Sequence, residues 1–422
     1  MRSDPMGWAG TAIPNYANVS ATYRKHLSSG RARLADLLGE QVEVESSGPW
    51  VTTGEGRRFL NFGGYGVLFT GARHPVVVEE VERQLRKNPT STRVFLEPVA
   101  ARAAEMLIAV APGDLERVHF CGSGAESVET AIKLARLNGR TRLISMQNGY
   151  HGKTMGALSL TARPVFQDPF RPLLPSAHVP FGDLEALTEV LSRHPGECCV
   201  VLEPVQAEAG VNIPPAGYLR QVGEICRQFG ALFVLDEVQS GMGRLGYWWG
   251  AEREAVIPDI LLAGKSLGGG VMPVAATIAS NAVFAPLDRD PVLHTSTFSA
   301  APIAMAGVCG ALRAITEDDL VSRAADLGAV LLQEIQRIAY THLDSFGCEV
   351  RGLGLLIAVD IAEPGVAGEL LVEMIKYDVV ANLSLNSDTV LRLTPPAVLT
   401  PEDIQFFVER FESAAFAIAR NR

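Results

Sequence analysis

Three short apolar runs, each ending on a charged side chain, constrain this sequence more than any other feature. They are Cys198-Cys199-Val200-Val201-Leu202-Glu203, Ala231-Leu232-Phe233-Val234-Leu235-Asp236-Glu237 and Pro258-Asp259-Ile260-Leu261-Leu262-Ala263-Gly264-Lys265. Each has the length and apolar continuity of a buried strand. Gly217 to Phe229, between the first two, reads as a helix. Strands alternating with helices predict an α/β fold, a mostly parallel sheet with helices on both faces. Ligands meet such sheets beyond the carboxyl ends of the strands, where Asp236 is placed. Lys265 is the unusual member of the set, because an unpaired ammonium is costly to bury. An imine removes that cost, and a partly desolvated amine of lowered pKa is the nucleophile that imine chemistry needs. A lysine snorkelling from a strand end is the competing reading.

The stretch before these runs has the same rhythm. Arg117 to Phe120 reads as a strand, then Cys121-Gly122-Ser123-Gly124-Ala125-Glu126-Ser127 opens a helix that reaches about Asn138. Free amides at a helix start, with the Ser123 hydroxyl, suit a phosphate dianion; an ordinary capped helix would look similar. The GK[ST] ending of a Walker loop is absent. A further strand, Leu143 to Met146, ends at Asn148-Gly149-Tyr150-His151-Gly152-Lys153-Thr154, where an aromatic ring and an imidazole could stack on a flat cofactor. A histidine that merely satisfies a polar neighbour is the alternative. Asp236 could pair with a pyridinium nitrogen, or form a salt bridge in the core. The loop Asn61 to Val67 has three glycines and two aromatics, so its backbone can approach another group closely.

Composition narrows the class. Acidic residues number 47 against 37 basic among 422, a formal net charge of -10. That balance argues against nucleic-acid or anionic-membrane binding. No apolar stretch reaches membrane-spanning length, and the polar start after Met1-Arg2-Ser3-Asp4-Pro5 does not resemble a secretory signal. Six cysteines without a CxxC pair indicate a reduced, cytoplasmic protein, and no zinc pattern appears. At the periphery, Tyr23 to Leu38 reads as a helix, and Val42 to Leu60 as strand, turn, strand. Pro75 to Asn88 and Val99 to Val110 read as helices. The tail reads as helices Pro302 to Ile315, Ser322 to Tyr340 and Pro401 to Ala417, with strands Cys348 to Asp360 and Thr389 to Leu393. The expected division is residues 1–69 joining a small domain, 70–308 forming a large cofactor domain, and 309–422 completing the small domain.

Several stretches together resemble the class III aminotransferases, pyridoxal-phosphate enzymes of fold type I, on the putrescine (diamine) and ornithine or acetylornithine branch. They are GSGAESVETAIKLAR at 122–136, YHGKTMGALSLT at 150–161, EPVQAEAGV at 203–211, LDEVQSGMGRL at 235–245, residues 258–273, and LHTSTF at 293–298. The likeness covers the chain from about Val42 onward. It implies a large domain with a mostly parallel seven-stranded sheet plus a small α+β domain, and pyridoxal 5'-phosphate as cofactor. It carries Lys265 onto the imine-forming lysine that also moves the proton, and Asp236 onto the partner of the ring nitrogen. Tyr150 and Val238 fall on residues packed against the two ring faces, with His151 beside them, and Gln239 on a partner near the ring hydroxyl. Ser123, Gly124 and Ala125 match the phosphate cup, Thr297 a phosphate ligand from a second subunit, and Glu203 a supporting carboxylate. A homodimer with shared sites follows from the resemblance, with small amines and 2-oxo acids or aldehydes as substrates.

Glu208 and Arg392 match a gate in which the arginine pairs alternately with the glutamate and with a substrate carboxylate. A single-substrate decarboxylase, mutase or racemase has no need of that gate. The implied reaction moves a terminal amino group between a diamine such as putrescine and 2-oxoglutarate. The alternatives are an ornithine or acetylornithine type of ω-aminotransferase, or a biosynthetic enzyme aminating a metabolite aldehyde. Lys153 stands where ornithine-type enzymes carry an arginine, which favours the diamine reading. Departures from the family pattern at Ser299-Ala300-Ala301, Ala207 and Cys121 bear on the substrate.

Overall fold

The computed structural model describes residues 15–422, so the expectation for the first five residues lies outside it. The strands in chain order are β1 Glu43–Ser47, β2 Trp50–Thr53, β3 Arg58–Asn61, β4 Leu115–Cys121, β5 Arg142–Met146, β6 Ser176–Val179, β7 Cys198–Leu202, β8 Leu232–Asp236, β9 Ile260–Ala263 and β10 Ala275–Ser280. After them come β11 Cys348–Leu353, β12 Leu356–Ile361, β13 Val379–Val380, β14 Asn382–Leu383 and β15 Val390–Leu393.

The central sheet has seven strands in the order β4-β10-β9-β8-β7-β5-β6. All its pairings are parallel except those of β10, which runs antiparallel to β4 and β9. This is the mostly parallel seven-stranded sheet of fold type I. Its middle strands β7, β8 and β9 are buried at every position because helices cover both faces. Cys198, Val200 and Leu202 of β7 enter one core, with Leu219, Val222 and Met305. Cys199 and Val201 enter the other, with Val128, Ile132 and Leu287. The helices Gly124–Leu137 and Tyr218–Gln228 therefore lie on opposite faces.

Two predicted strands are redrawn by the structure, and four, β6, β10 and the two-residue β13 and β14, were not foreseen. Cys348 to Asp360 is not one strand but the hairpin β11–β12, turning at Gly354, which has φ +54°. Val42 to Val51 holds β1 and the start of β2, separated at Gly48 and Pro49. The unforeseen β6 is polar and half-exposed, and β10 is rich in alanine, so neither shows a strand's apolar pattern. The predicted helix Tyr23 to Leu38 begins earlier, at Tyr16, passes through a wide turn Tyr23–Leu27, and restarts at Ser29 after the cap Ser28.

Two smaller sheets flank the central one. In β11-β12-β15-β14, all antiparallel, Arg392 stands between Ala358 and Asn382. In β1-β2-β3-β13, the N-terminal strands meet the C-terminal part through Leu60 and Val379. Among the described residues no helix is long and apolar enough to cross a membrane. The division at 69/70 and 308/309 is a proposal; its second boundary runs through the helix Pro302–Glu317.

Candidate active site

Beyond the carboxyl ends of β5, β7, β8 and β9 lies a cavity of about 250 Å³. Its walls include Gly124, Ala125, Tyr150, His151, Glu203, Glu208, Asp236, Val238, Gln239 and Lys265. Residues separated by more than a hundred positions meet here because parallel strands deliver all their carboxyl ends to one side of the sheet.

Lys265 follows β9 and starts the short turn Lys265–Gly268 that leads toward β10. Its φ is +45°, a left-handed conformation that costs a side-chain-bearing residue on the order of 1–2 kcal/mol. Strain of that kind persists where the surroundings hold it and a site uses it. Burial lowers the pKa of the Lys265 amine; nearby carboxylates, Glu208 first, oppose the shift without cancelling it.

Asp236 ends β8 and is only 5% exposed. Its Oδ1 accepts from the Val238 amide at 3.1 Å, and Oδ2 lies 2.7 Å from His151 Nδ1. Burial resists charging His151, but the hydrogen bond and charge of Asp236 outweigh it, and the imidazole pKa is raised. His151 is thus an aspartate partner, a role that its position in the sequence does not disclose. Glu203, past the end of β7, accepts from the amides of Tyr150 (3.0 Å) and Ala207 (3.2 Å), and burial pushes its carboxyl up to about 7.

Gln239 is buried with neither its amide oxygen nor its amide nitrogen partnered. The glycine-rich loop closes over it: a Cβ on Gly66 would lie 2.1 Å from Gln239 Nε2. Glu208 Oε2 accepts from the Leu385 amide at 3.0 Å, and Oε1 lies 2.5 Å from Arg392 Nη1. Arg392 is fully buried, yet none of its three guanidinium nitrogens makes a directed hydrogen bond among the described residues. The two charges touch through Nη1, while Nε and Nη2 have no acceptor among the described residues.

The phosphate cup predicted at Ser123, Gly124 and Ala125 is the N-terminus of the helix Gly124–Leu137, with Ser123 as cap. An anion already sits beside it. Glu126 Oε2 accepts from the Gly122 amide at 2.7 Å and from the Ser123 hydroxyl at 3.3 Å. Gly124 keeps the floor open, since a Cβ there would come within 2.9 Å of Val238. Thr297 does not join its own chain's cavity; it is exposed, and its carbonyl accepts from Arg93 at 3.4 Å. Ser123 is likewise exposed, at the rim.

These groups fit pyridoxal phosphate. Anion-seeking amides lie at one end of the cavity, the carboxylate of Asp236 at another, an amine of lowered pKa beside them, and an unpartnered amide at Gln239. Gly152 and Lys153 also line the cavity. Lys153 Nζ lies 3.9 Å from the centre of the Phe166 ring and 5.9 Å from that of Tyr150. No motif signals this clamp, because Phe166 belongs to a separate short helix.

The family model for aminotransferase class-III matches residues 39–415. Solved structures align over almost the whole length. An ornithine aminotransferase from Toxoplasma gondii is 28% identical, with 98% of each chain covered and a TM-score of 0.90. An acetylornithine aminotransferase from Elizabethkingia anophelis is also 28% identical, covering 96% of this chain and 100% of that one, with a TM-score of 0.81. An (S)-enantioselective omega-transaminase from Thermomicrobium roseum is 28% identical, covering 96% and 99%, with a TM-score of 0.87. The cavity at the strand ends and this end-to-end likeness lead to one conclusion: the chain belongs to the class III aminotransferase family and is a pyridoxal-phosphate-dependent aminotransferase.

Proposed function

We propose that the enzyme moves the terminal amino group of a small ω-amine, one with a carboxylate at its far end, to a 2-oxo acid such as 2-oxoglutarate. The observation that carries this reading is the Glu208–Arg392 contact with its unfilled guanidinium donors. A bidentate fork suits a carboxylate, and pairing with Glu208 neutralises it when the bound substrate presents none there.

Bound pyridoxal phosphate supplies an electron-accepting ring and a carbonyl carbon that holds the amino group between the two substrates. In this reading Ser123, Gly124 and Ala125 hold the phosphate, helped by Thr297 of a second copy. Asp236 would pair with the ring nitrogen, with His151 fixing its carboxylate. Val238 and Tyr150 would hold the ring between them, and Gln239, whose amide is unpartnered, would meet a polar group of it. Lys265 Nζ would accept a proton from the amine-bearing carbon of the donor in one half-reaction and supply one to the corresponding carbon of the acceptor in the other. Its lowered pKa keeps the lone pair available. Glu203 supports the Tyr150 backbone.

Lys153 shifts the donor from putrescine toward the ornithine or acetylornithine type. Clamped over Phe166, it places a positive charge in the cavity wall. That charge repels a second ammonium and attracts a carboxylate. The names of the Toxoplasma and Elizabethkingia relatives agree with that direction. A homodimer is supported by Thr297 standing exposed beside Phe298, with Val94, Phe95, Leu96 and Val292 also exposed. A cytoplasmic setting is supported by six free cysteines.

Stopped-flow spectra of the loaded enzyme, mixed separately with acetylornithine, ornithine and putrescine, test the donor. Acetylornithine or ornithine is expected to exceed putrescine in specificity constant by about tenfold or more, the worth of one favourable charge contact. A preference for putrescine would overturn the donor reading.

A further inference from the structure

Arg244 is a fully buried guanidinium that no carboxylate pairs with among the described residues. Its hydrogen bonds go to carbonyls alone: Nη1 donates to Leu355 at 3.1 Å and to Pro395 at 2.5 Å, and Nη2 donates to Gly66 at 3.3 Å. Its Nε has no partner, and its carbon lies 5.1 Å from the centre of the Phe69 ring. The three carbonyls come from distant parts of the chain. Gly66 covers Gln239 and accepts from the Ser266 hydroxyl, next to Lys265, at 3.2 Å. Pro395 lies three residues beyond Arg392, and Leu355 returns a bond from its amide to the Arg244 carbonyl at 2.9 Å. An uncompensated buried charge is expensive, so its retention asks for a use.

Charge balance supplies one. Arg392 and Glu208 neutralise each other, as do His151 and Asp236. A substrate carboxylate arriving on Arg392 would leave Glu208 and the carboxylate sharing one cation, a net negative charge in a buried space. Through Pro395, Arg244 grips the segment that leaves the strand of Arg392; burial, then the charge of Arg392, push its guanidinium down to about 9.

We infer that Arg244 is a specificity-determining residue for the acceptor, its unpaired charge balancing the carboxylate that binds at Arg392. The inference rests on the reading of Arg392 given above. Arg244 offsets the negative charge that the acceptor carboxylate adds beside Glu208 and Arg392. A donor without a carboxylate gains nothing from it.

The test uses the holoenzyme carrying R244Q or R244K, with each half-reaction followed separately. Glutamine keeps hydrogen-bond donors without charge; lysine keeps charge without the fork. In R244Q the KM for 2-oxoglutarate and the Kd for unreactive glutarate should rise about tenfold, as expected for losing one nearby charge at protein-like dielectric. The half-reaction with a simple alkylamine should stay within about twofold. R244K should hold 2-oxoglutarate within about threefold of wild type. Equal acceptor losses in both variants, or none in R244Q, would overturn the inference. If R244Q does not fold, R244K decides alone: a rise of about tenfold in its 2-oxoglutarate KM would mean that the fork matters and the charge does not. R392A separates this from the underlying reading. Loss in R392A with none in R244Q sinks only the role of Arg244, whereas an intact acceptor half-reaction in R392A removes the site that the role depends on.

Discussion

His151 Nδ1 lies 2.7 Å from Asp236 Oδ2, and both side chains are almost completely buried. The pair is a charge-assisted contact in a low-dielectric setting, so the imidazole fixes how the carboxylate is turned. On the proposed pairing of Asp236 with the ring nitrogen, D236N should lower cofactor affinity and slow both half-reactions. H151N should show a milder form of the same defect, with weaker cofactor binding. Equilibrium dialysis of the cofactor with rapid-mixing kinetics checks both. Unchanged affinity and rates in D236N would contradict the assignment.

Replacing Lys265 by alanine removes the group placed to move the proton. Turnover should fall by about 10³-fold or more, within the range that a positioned acid-base group contributes. The fold should survive, since Lys265 is strained at φ +45° and stabilises little. Circular dichroism melting and turnover assays on protein free of host enzyme check the two halves of this expectation.

Glu237 offers a pH test that the cofactor does not enter. It is fully buried, accepts from Ser240 and from the amides of Gly250 and Ala251, and burial pushes its carboxyl up to about 7. A carboxyl whose folded pKa lies above its ordinary 4.5 favours the fold most when protonated. Its contribution is fully present below that ordinary value and is lost as pH rises through about 7. E237Q cannot ionise, so its Tm should fall less than that of wild type between roughly pH 5 and 8. Parallel melting curves decide the matter, and equal slopes would contradict it.

Sequence and structure agree best where burial is two-sided. β7, β8 and β9 are visible in the sequence because both faces must be apolar, and their ends place Glu203, Asp236 and Lys265. β6 and β10 escape detection because a polar edge strand and an alanine-rich strand show no such pattern. Gly354 could have revealed the β11–β12 hairpin, since a glycine inside a strand-like run signals a turn. The motif likeness located the residues around the cavity but not their mutual bonds. The His151–Asp236 contact, the cover that Gly66 forms over Gln239, and the three-way grip of Arg244 join segments 85 to 178 positions apart. Such contacts exist only after the chain has folded.

The central claim is that Arg392 alternates between Glu208 and a substrate carboxylate. Separate stopped-flow measurement of the two half-reactions in R392A tests it most directly. The alkylamine half should stay within about threefold of wild type, while reaction with 2-oxoglutarate should fall by roughly 10²-fold in specificity constant, the worth of a buried bidentate contact. Equal losses in both halves would show that Arg392 only supports the fold, and the two-substrate account of the site would fail.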